Sequence, residues 1–296
     1  MNPIGVNLSF AVKRLVEPDA WTAVVADMGL TVAQFSFDLI DPLWPAPLRS
    51  ALAAQHRQAA ETRGITIHSA FVGLACYTYN NLLHPLPEGR EAARSWWRGA
   101  IETAAELGTT RVGGPLGGIS LRDAADAARR NERLEGLLVD LHDLLEYARA
   151  CGLTEFLIEP VPLGREIPST IHEAQSLLEN LRGAAIPVKL CVDIGHALYQ
   201  PLYGTAARLE PWLEFGDALG LLHLQQTDGQ SDSHWGLDDP RGIVRLEPLK
   251  QTLETHGHGD LPVILEVFYP FEATDEFVLR DVQSSTRQMR EVWARQ

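Results

Sequence analysis

Short apolar and β-branched runs alternate with segments of helical periodicity along the whole chain. Runs of this kind, four to nine residues long and bounded by turn residues, read as strands. They fall at 4–9 (IGVNLS), 31–37 (TVAQFSF), 65–71 (ITIHSAF), 109–114 (TTRVGG), 154–159 (TEFLIE), 188–193 (VKLCVD), 219–225 (LGLLHLQ) and 261–267 (LPVILEV). Between them the pattern is helical, with readable ends. In EPDAWTAVVADMG, Pro18 and Asp19 suit a first turn and Gly29 a C-terminal cap. Gly64, Gly108, Gly152 and Gly257 also close a helical pattern just before a strand. The longest helix is expected over 121–150, with Leu137, Leu138, Leu141, Leu144, Leu145 and Ala148 on one face.

Eight βα units in a row, with no low-complexity linker or composition break, predict a closed α/β (β/α)8 TIM barrel as a single domain over 1–296. The open doubly wound sheet is the alternative, but its GxGxxG turn after the first strand is missing. Composition narrows the function. With 25 Lys and Arg against 39 Asp and Glu, the net charge of −14 disfavours nucleic acid as a partner. The N-terminus lacks a signal-peptide pattern and no run of about 18 apolar residues occurs, so neither export nor a membrane span is expected. Cys76, Cys151 and Cys191 are three, without CxxC spacing, and read as reduced thiols of a cytoplasmic protein.

In such a barrel the active site sits at the C-terminal ends of the strands, so polar residues there are the first to question. Glu159 ends the fifth strand, Asp193 the sixth, His223 lies near the end of the seventh, and Glu266 ends the eighth. Each taken alone has a plainer reading: a carboxylate can cap the next helix, and a lone histidine can be a hydrogen-bonded core residue. Four together, inside apolar strands, would be costly to bury unpaired, and one divalent cation would neutralise them jointly.

IEP at Glu159, VDIGH at Asp193 and His196, HLQQTDG at His223 and ILEVFYP at Glu266 give a chain that resembles the sugar-phosphate isomerase/epimerase superfamily of xylose-isomerase-like barrels. The likeness is to the ketose 3-epimerases related to D-tagatose 3-epimerase. The resemblance implies one Mn²⁺, Mg²⁺ or Co²⁺ ion on Glu159, Asp193, His223 and Glu266. It implies Glu159 and Glu266 as the catalytic pair on opposite faces of a ketose, with proton transfer beside the carbonyl through an enediolate. It also implies His196 on a substrate oxygen, Glu166 of EPVPLGREIPST as its orienter, a sugar or sugar phosphate as substrate, and a homo-oligomer. Free-ketohexose members carry an arginine soon after the strand-seven histidine; here HLQQTDGQSDSHWG has none before Arg241. That stretch is similar to the tetrulose-phosphate branch, and Ser231, Ser233, His234 and Arg241 could meet a phosphate. A surface loop explains it as well.

Asn7 and His68, read as ending strands one and three, are further candidates for substrate contact, with core or capping duty the plainer reading. GGPLGG (113–118) could let backbone approach a ligand, and CYTYNNLLHP (76–85) could form a lid. Trp96 and Trp97 are expected to pack outside the barrel or in a subunit interface. Two competing readings stay open: a metal-dependent nuclease like endonuclease IV, which needs further histidine ligands, and a non-catalytic ligand-binding barrel.

Overall fold

A computed structural model of the protein describes residues 2–294, so positions 1, 295 and 296 of the expected 1–296 domain lie outside the described residues. The eight expected strands are present: β1 (Ile4–Asn7), β2 (Val32–Ser36), β3 (Thr66–Phe71), β4 (Arg111–Gly114), β5 (Glu155–Ile158), β6 (Val188–Asp193), β7 (Leu219–Leu224) and β8 (Val263–Leu265). They follow one another as a closed parallel barrel in the order β1 to β8. Seven of them are shorter than expected by one or two residues at one end or both, and β6 matches. Gly29, Gly64, Gly108, Gly152 and Gly257 all take positive φ, between 67° and 88°. That conformation strains residues with a Cβ, and it is why glycine closes these five helices. No helix among the described residues is long and apolar enough to cross a membrane.

The chain divides into two compact units. The first comprises Met1–Phe35, Gln58–Ile67 and Cys191–Gln296. Within it β7, β8, β1 and β2 lie side by side, with Leu265 level with both Leu224 and Val6, and Asn7 level with Gln34. This register sets Glu266, one residue past β8, beside the ends of β1 and β7, where its N–H donates to Leu224 O at 2.9 Å.

The second unit comprises Ser36–Arg57 and His68–Leu190. Here Val112 and Gly113 of β4 pair with Ala70 and Phe71 of β3, and β4 runs along β5 from Arg111–Glu155 to Gly114–Ile158. The apolar Ala70 and Phe71 prolong β3, so His68 is its third residue and not its end. Gly113 is required by close approach, since a Cβ there would meet Leu157 O at 2.3 Å.

The helix expected over 121–150 is broken. Ser120 caps a single turn, Leu121–Ala124, and Asp126 then caps Ala127–Ala150 by accepting from the N–H groups of Ala128 and Arg129. An aspartate at extended φ,ψ satisfies the orphan donors of a new helix better than it continues the old one. Leu137, Leu141, Leu144, Leu145 and Ala148 are buried as expected, and Leu138 is half-buried.

Trp96 and Trp97, on the helix Pro87–Glu106, are buried within this unit and are not available to a subunit interface. Trp97 packs on Phe156 of β5 with ring centres 5.2 Å apart, and Trp96 meets Phe37 edge-on at 5.4 Å. Replacing Trp97 with Ala should cost about 3–5 kcal/mol, the usual toll for a cavity of that size. A thermal melt should register this as a drop of roughly 5–10 °C, whereas an unchanged melt would contradict this placement.

Candidate functional site

Asp193 ends β6 and caps the turn that follows, Ile194–Ala197. Its Oδ1 accepts the backbone N–H of His196 at 2.9 Å, the third residue of that turn, so the D-x-x-H spacing is cap geometry. The same oxygen accepts from Gln225 Nε2 at 2.8 Å. Asp193 is only 1% exposed, and its Oδ2 has no hydrogen-bond partner. The cap therefore uses one oxygen of this carboxylate and leaves the other without a donor.

Gln225 directly follows β7 and is fully buried. Its Oε1 accepts the N–H of His234 in a very short contact, which pins the loop after β7. His234 holds a positive φ of 45°, a strained conformation for a histidine that the surrounding bonds must maintain. Gly195 makes room for this arrangement, since a Cβ there would lie 2.5 Å from the Gln225 carboxamide.

His223, on β7, is fully buried, with Nδ1 at 3.0 Å from Glu266 Oε2 and Nε2 at 2.7 Å from Gln34 Oε1. Asn7, at the end of β1, donates from Nδ2 to Gln34 Oε1 at 2.6 Å and to Glu266 Oε1 at 2.8 Å. Its own Oδ1 accepts the N–H of Ser9 at 2.8 Å. A second polar group stands beside this one. Asp232 Oδ1 lies 3.2 Å from His196 Nε2 and 3.0 Å from His234 Nε2, and the two rings meet edge-on at 5.7 Å. Burial alone would push the Asp232 carboxyl up and the His234 ring down, but their proximity reverses both. Asp232 is held well below the usual carboxylate range by His196 and His234, although its 42% exposure lets water screen part of the effect. His234 is raised to about 9 by Asp232, with Asp193 and Glu266 adding to it.

In the other unit Glu159 follows β5 and is buried, with its N–H donating to Gly114 O at 3.2 Å. Glu166 accepts from Tyr77 Oη at 2.8 Å, and burial raises its carboxyl despite that bond and the nearby Arg165. Tyr77 belongs to the segment suggested as a lid, where it closes a one-turn helix, Leu74–Tyr77. His68 is half-buried on β3, with Nδ1 at 3.2 Å from Ser69 Oγ.

Asp193, His223 and Glu266 each offer a ligand atom, all within 4.8 Å of one another, and Asp193, His196 and His234 form a second such group. The residues fit a divalent ion. Three carboxylates are withdrawn from water, one of their oxygens has no partner, and a ring nitrogen faces a carboxylate. A cation is the usual way to offset such a cost. Three oxygens and one nitrogen suit hard to borderline ions. Of the residues expected around a phosphate, Ser233 Oγ bonds Ser231, and exposed Arg241 is paired with Asp239 at 2.8 Å and laid over the Trp235 ring at 3.7 Å. Sequence reading missed Gln34, Gln225 and Asp232. The faint signal for the glutamines was a buried amide inside an apolar strand or at its end.

A model of the xylose isomerase-like TIM barrel family matches residues 22–289, which run through both units. The chain belongs to that family. Within this xylose isomerase-like family, a curated relative from Brucella abortus, D-erythrulose 1-phosphate 3-epimerase, is 25% identical over 299 residues, covering 95% of this chain and 93% of the relative. A crystal structure from Rhodospirillum rubrum, described provisionally as a xylose isomerase, is 38% identical with a TM-score of 0.95, covering 98% of this chain and 99% of that one. D-psicose 3-epimerase from Clostridium cellulolyticum, solved with D-tagatose, shares the fold at a TM-score of 0.74 and 16% identity, with 98% and 99% covered.

Placing a methyl group at Gly195 should dislodge Gln225 from Asp193. Gly195→Ala is expected to cost about 1–3 kcal/mol, as overpacking of a well-filled site does. A urea midpoint equal to that of the native chain would mean that the carboxamide has room to spare.

Proposed function

We propose that the protein is a divalent-metal-dependent isomerase of the carbohydrate class, a 3-epimerase acting on a short ketose phosphate of the tetrulose type. The carrying observation is the buried group of Asp193, His223 and Glu266, in which two carboxylates accompany an imidazole, with Glu159 likewise buried just past the end of β5. The similarity to D-erythrulose 1-phosphate 3-epimerase over nearly the full length supports the substrate class. So do Gln225 and Gln226, standing soon after His223 in place of an arginine.

Glu159, Asp193, His223 and Glu266 would hold the ion, of Mn²⁺, Mg²⁺ or Co²⁺ type. When bound it would polarise the ketose carbonyl and so acidify the neighbouring C–H. The chain's own groups do the rest. One of Glu159 and Glu266 takes the proton from C3, leaving the bonding electrons delocalised over C2, C3 and their oxygens as an enediolate. The other returns a proton to the opposite face. Asn7 donates to Glu266 Oε1, while Oε2 faces His223 Nδ1 at 3.0 Å. His196, held against Asp232, donates to the substrate oxygen that gains charge. Glu166, His68, Ser233, His234 and Arg241 complete the assigned substrate contacts, Arg241 after release from Asp239.

One observation favours a second reading. The nuclease alternative needs more histidine ligands, and Asp193, His196 and His234 supply a second group. The net charge of −14 opposes a polyanionic substrate.

Incubation with D-erythrulose 1-phosphate and Mn²⁺ in deuterated water, followed by NMR, should show deuterium at C3 with inverted configuration. Glu266→Gln should lose at least about 10²–10⁴-fold of this exchange. Chelation should abolish exchange and added Mn²⁺ restore it. Exchange in free ketoses alone would move the substrate class away from phosphates. Cleavage of an abasic duplex, with no sugar exchanging, would sink the epimerase reading in favour of a nuclease.

A further inference from the structure

A histidine or a carboxylate can present either of two atoms to an ion. For His223 and Asp193 the choice is made elsewhere, by two buried glutamines whose orientation is set by backbone amides. The first chain starts at Ser9. A backbone N–H can only donate, so the Asn7 atom it meets at 2.8 Å must be the carbonyl oxygen. The other end of Asn7 is then its NH₂ group, and both its hydrogens are used, on Glu266 Oε1 at 2.8 Å and on Gln34 at 2.6 Å. The Gln34 atom that receives one of them must be an acceptor, which is Oε1. That same oxygen lies 2.7 Å from His223 Nε2, so Nε2 must carry a hydrogen. Nδ1 is turned to the Glu266 carboxylate at 3.0 Å, so without an ion it holds a hydrogen too, and that is the hydrogen a bound divalent ion would replace.

The second chain starts at His234. Its N–H donates to one end of the Gln225 carboxamide, which makes that end Oε1 and the other end Nε2. Gln225 Nε2 then donates to Asp193 Oδ1, which already accepts from His196 N–H, and Oδ2 is the oxygen without a partner. Neither chain passes through a group that can reverse. Each begins at a main-chain donor and ends by fixing which atom faces the neighbouring ligands.

Resting on the metal reading, we infer that Gln34 and Gln225 are positioning residues that select His223 Nδ1 and Asp193 Oδ2 as the atoms offered to the ion. Gln34→Met keeps the bulk of the side chain and removes the acceptor. Gln34→Glu keeps an acceptor oxygen towards both Asn7 and His223. The test has two readouts: the ¹⁵N spectrum of His223 in the Mg²⁺-loaded protein, and Mn²⁺ affinity by titration of protein stripped of metal.

The native chain and Gln34→Glu should carry the hydrogen on Nε2 and bind Mn²⁺ with similar or greater strength in the variant. Gln34→Met should show Nδ1–H as well and bind about 10–100-fold more weakly, the range typical for loss of a ligand's orienting partner. Gln225→Met should weaken Mn²⁺ by about tenfold with the His223 signal unchanged. An Nδ1–H form in the native chain would overturn the inference, as would full affinity in either methionine variant. If the native chain takes up no Mn²⁺, the metal reading falls. The ¹⁵N readout on the native chain does not depend on how the methionine variants fold.

Discussion

The cost of burying like charges governs this molecule. Asp193, Glu159 and Glu266 are each at most 6% exposed, and the last is 3.0 Å from His223. A carboxylate taken from water without partners costs several kcal/mol, and the surrounding chain supplies donors to several of these oxygens. Asn7 serves Glu266, and Gln225 with the His196 amide serves Asp193. One oxygen is left without any.

The donors can be where they are because strand register puts them there. Asn7 and Gln34 face each other across β1 and β2, and Glu266 emerges one residue beyond the row Leu224, Leu265, Val6. Backbone geometry does the rest at two points. The cap at Asp193 places His196 at the third position of its turn, and glycine at 195 clears a space for Gln225. The loop after β7 is tied back through Gln225 and through Gln226, whose backbone pairs with Trp235. That is how Asp232 and His234 come to stand beside His196, despite lying 36 and 38 residues further on.

The repeating βα pattern and the glycine stops were legible because they are local: a buried parallel strand must be apolar and a left-handed helix end must be glycine. His68 was misread as a strand end because a polar residue within an apolar run does not reveal whether pairing continues past it. It does continue, through Ala70 and Phe71. The helix break at 124–127 was missed because LRDAADAARR is helical in composition throughout, and an aspartate inside such a stretch marks a cap only once its backbone conformation is known. Trp96 and Trp97 are compatible on paper with an interface or a core, and only the partners Phe37 and Phe156 decide between them.

The sequence by itself determined the eight alternating units, the helix stops and the positions of Glu159, Asp193, His223 and Glu266 at or near strand ends, because each follows from the residue type and its immediate neighbours. Only the tertiary structure decided that Gln34 and Asn7 bear on His223 and Glu266, that Gln225 bears on Asp193, and that Asp232 stands between two histidines. A buried amide has no fixed direction until a backbone donor meets one of its ends, and those donors come from parts of the chain that only pairing and packing bring together.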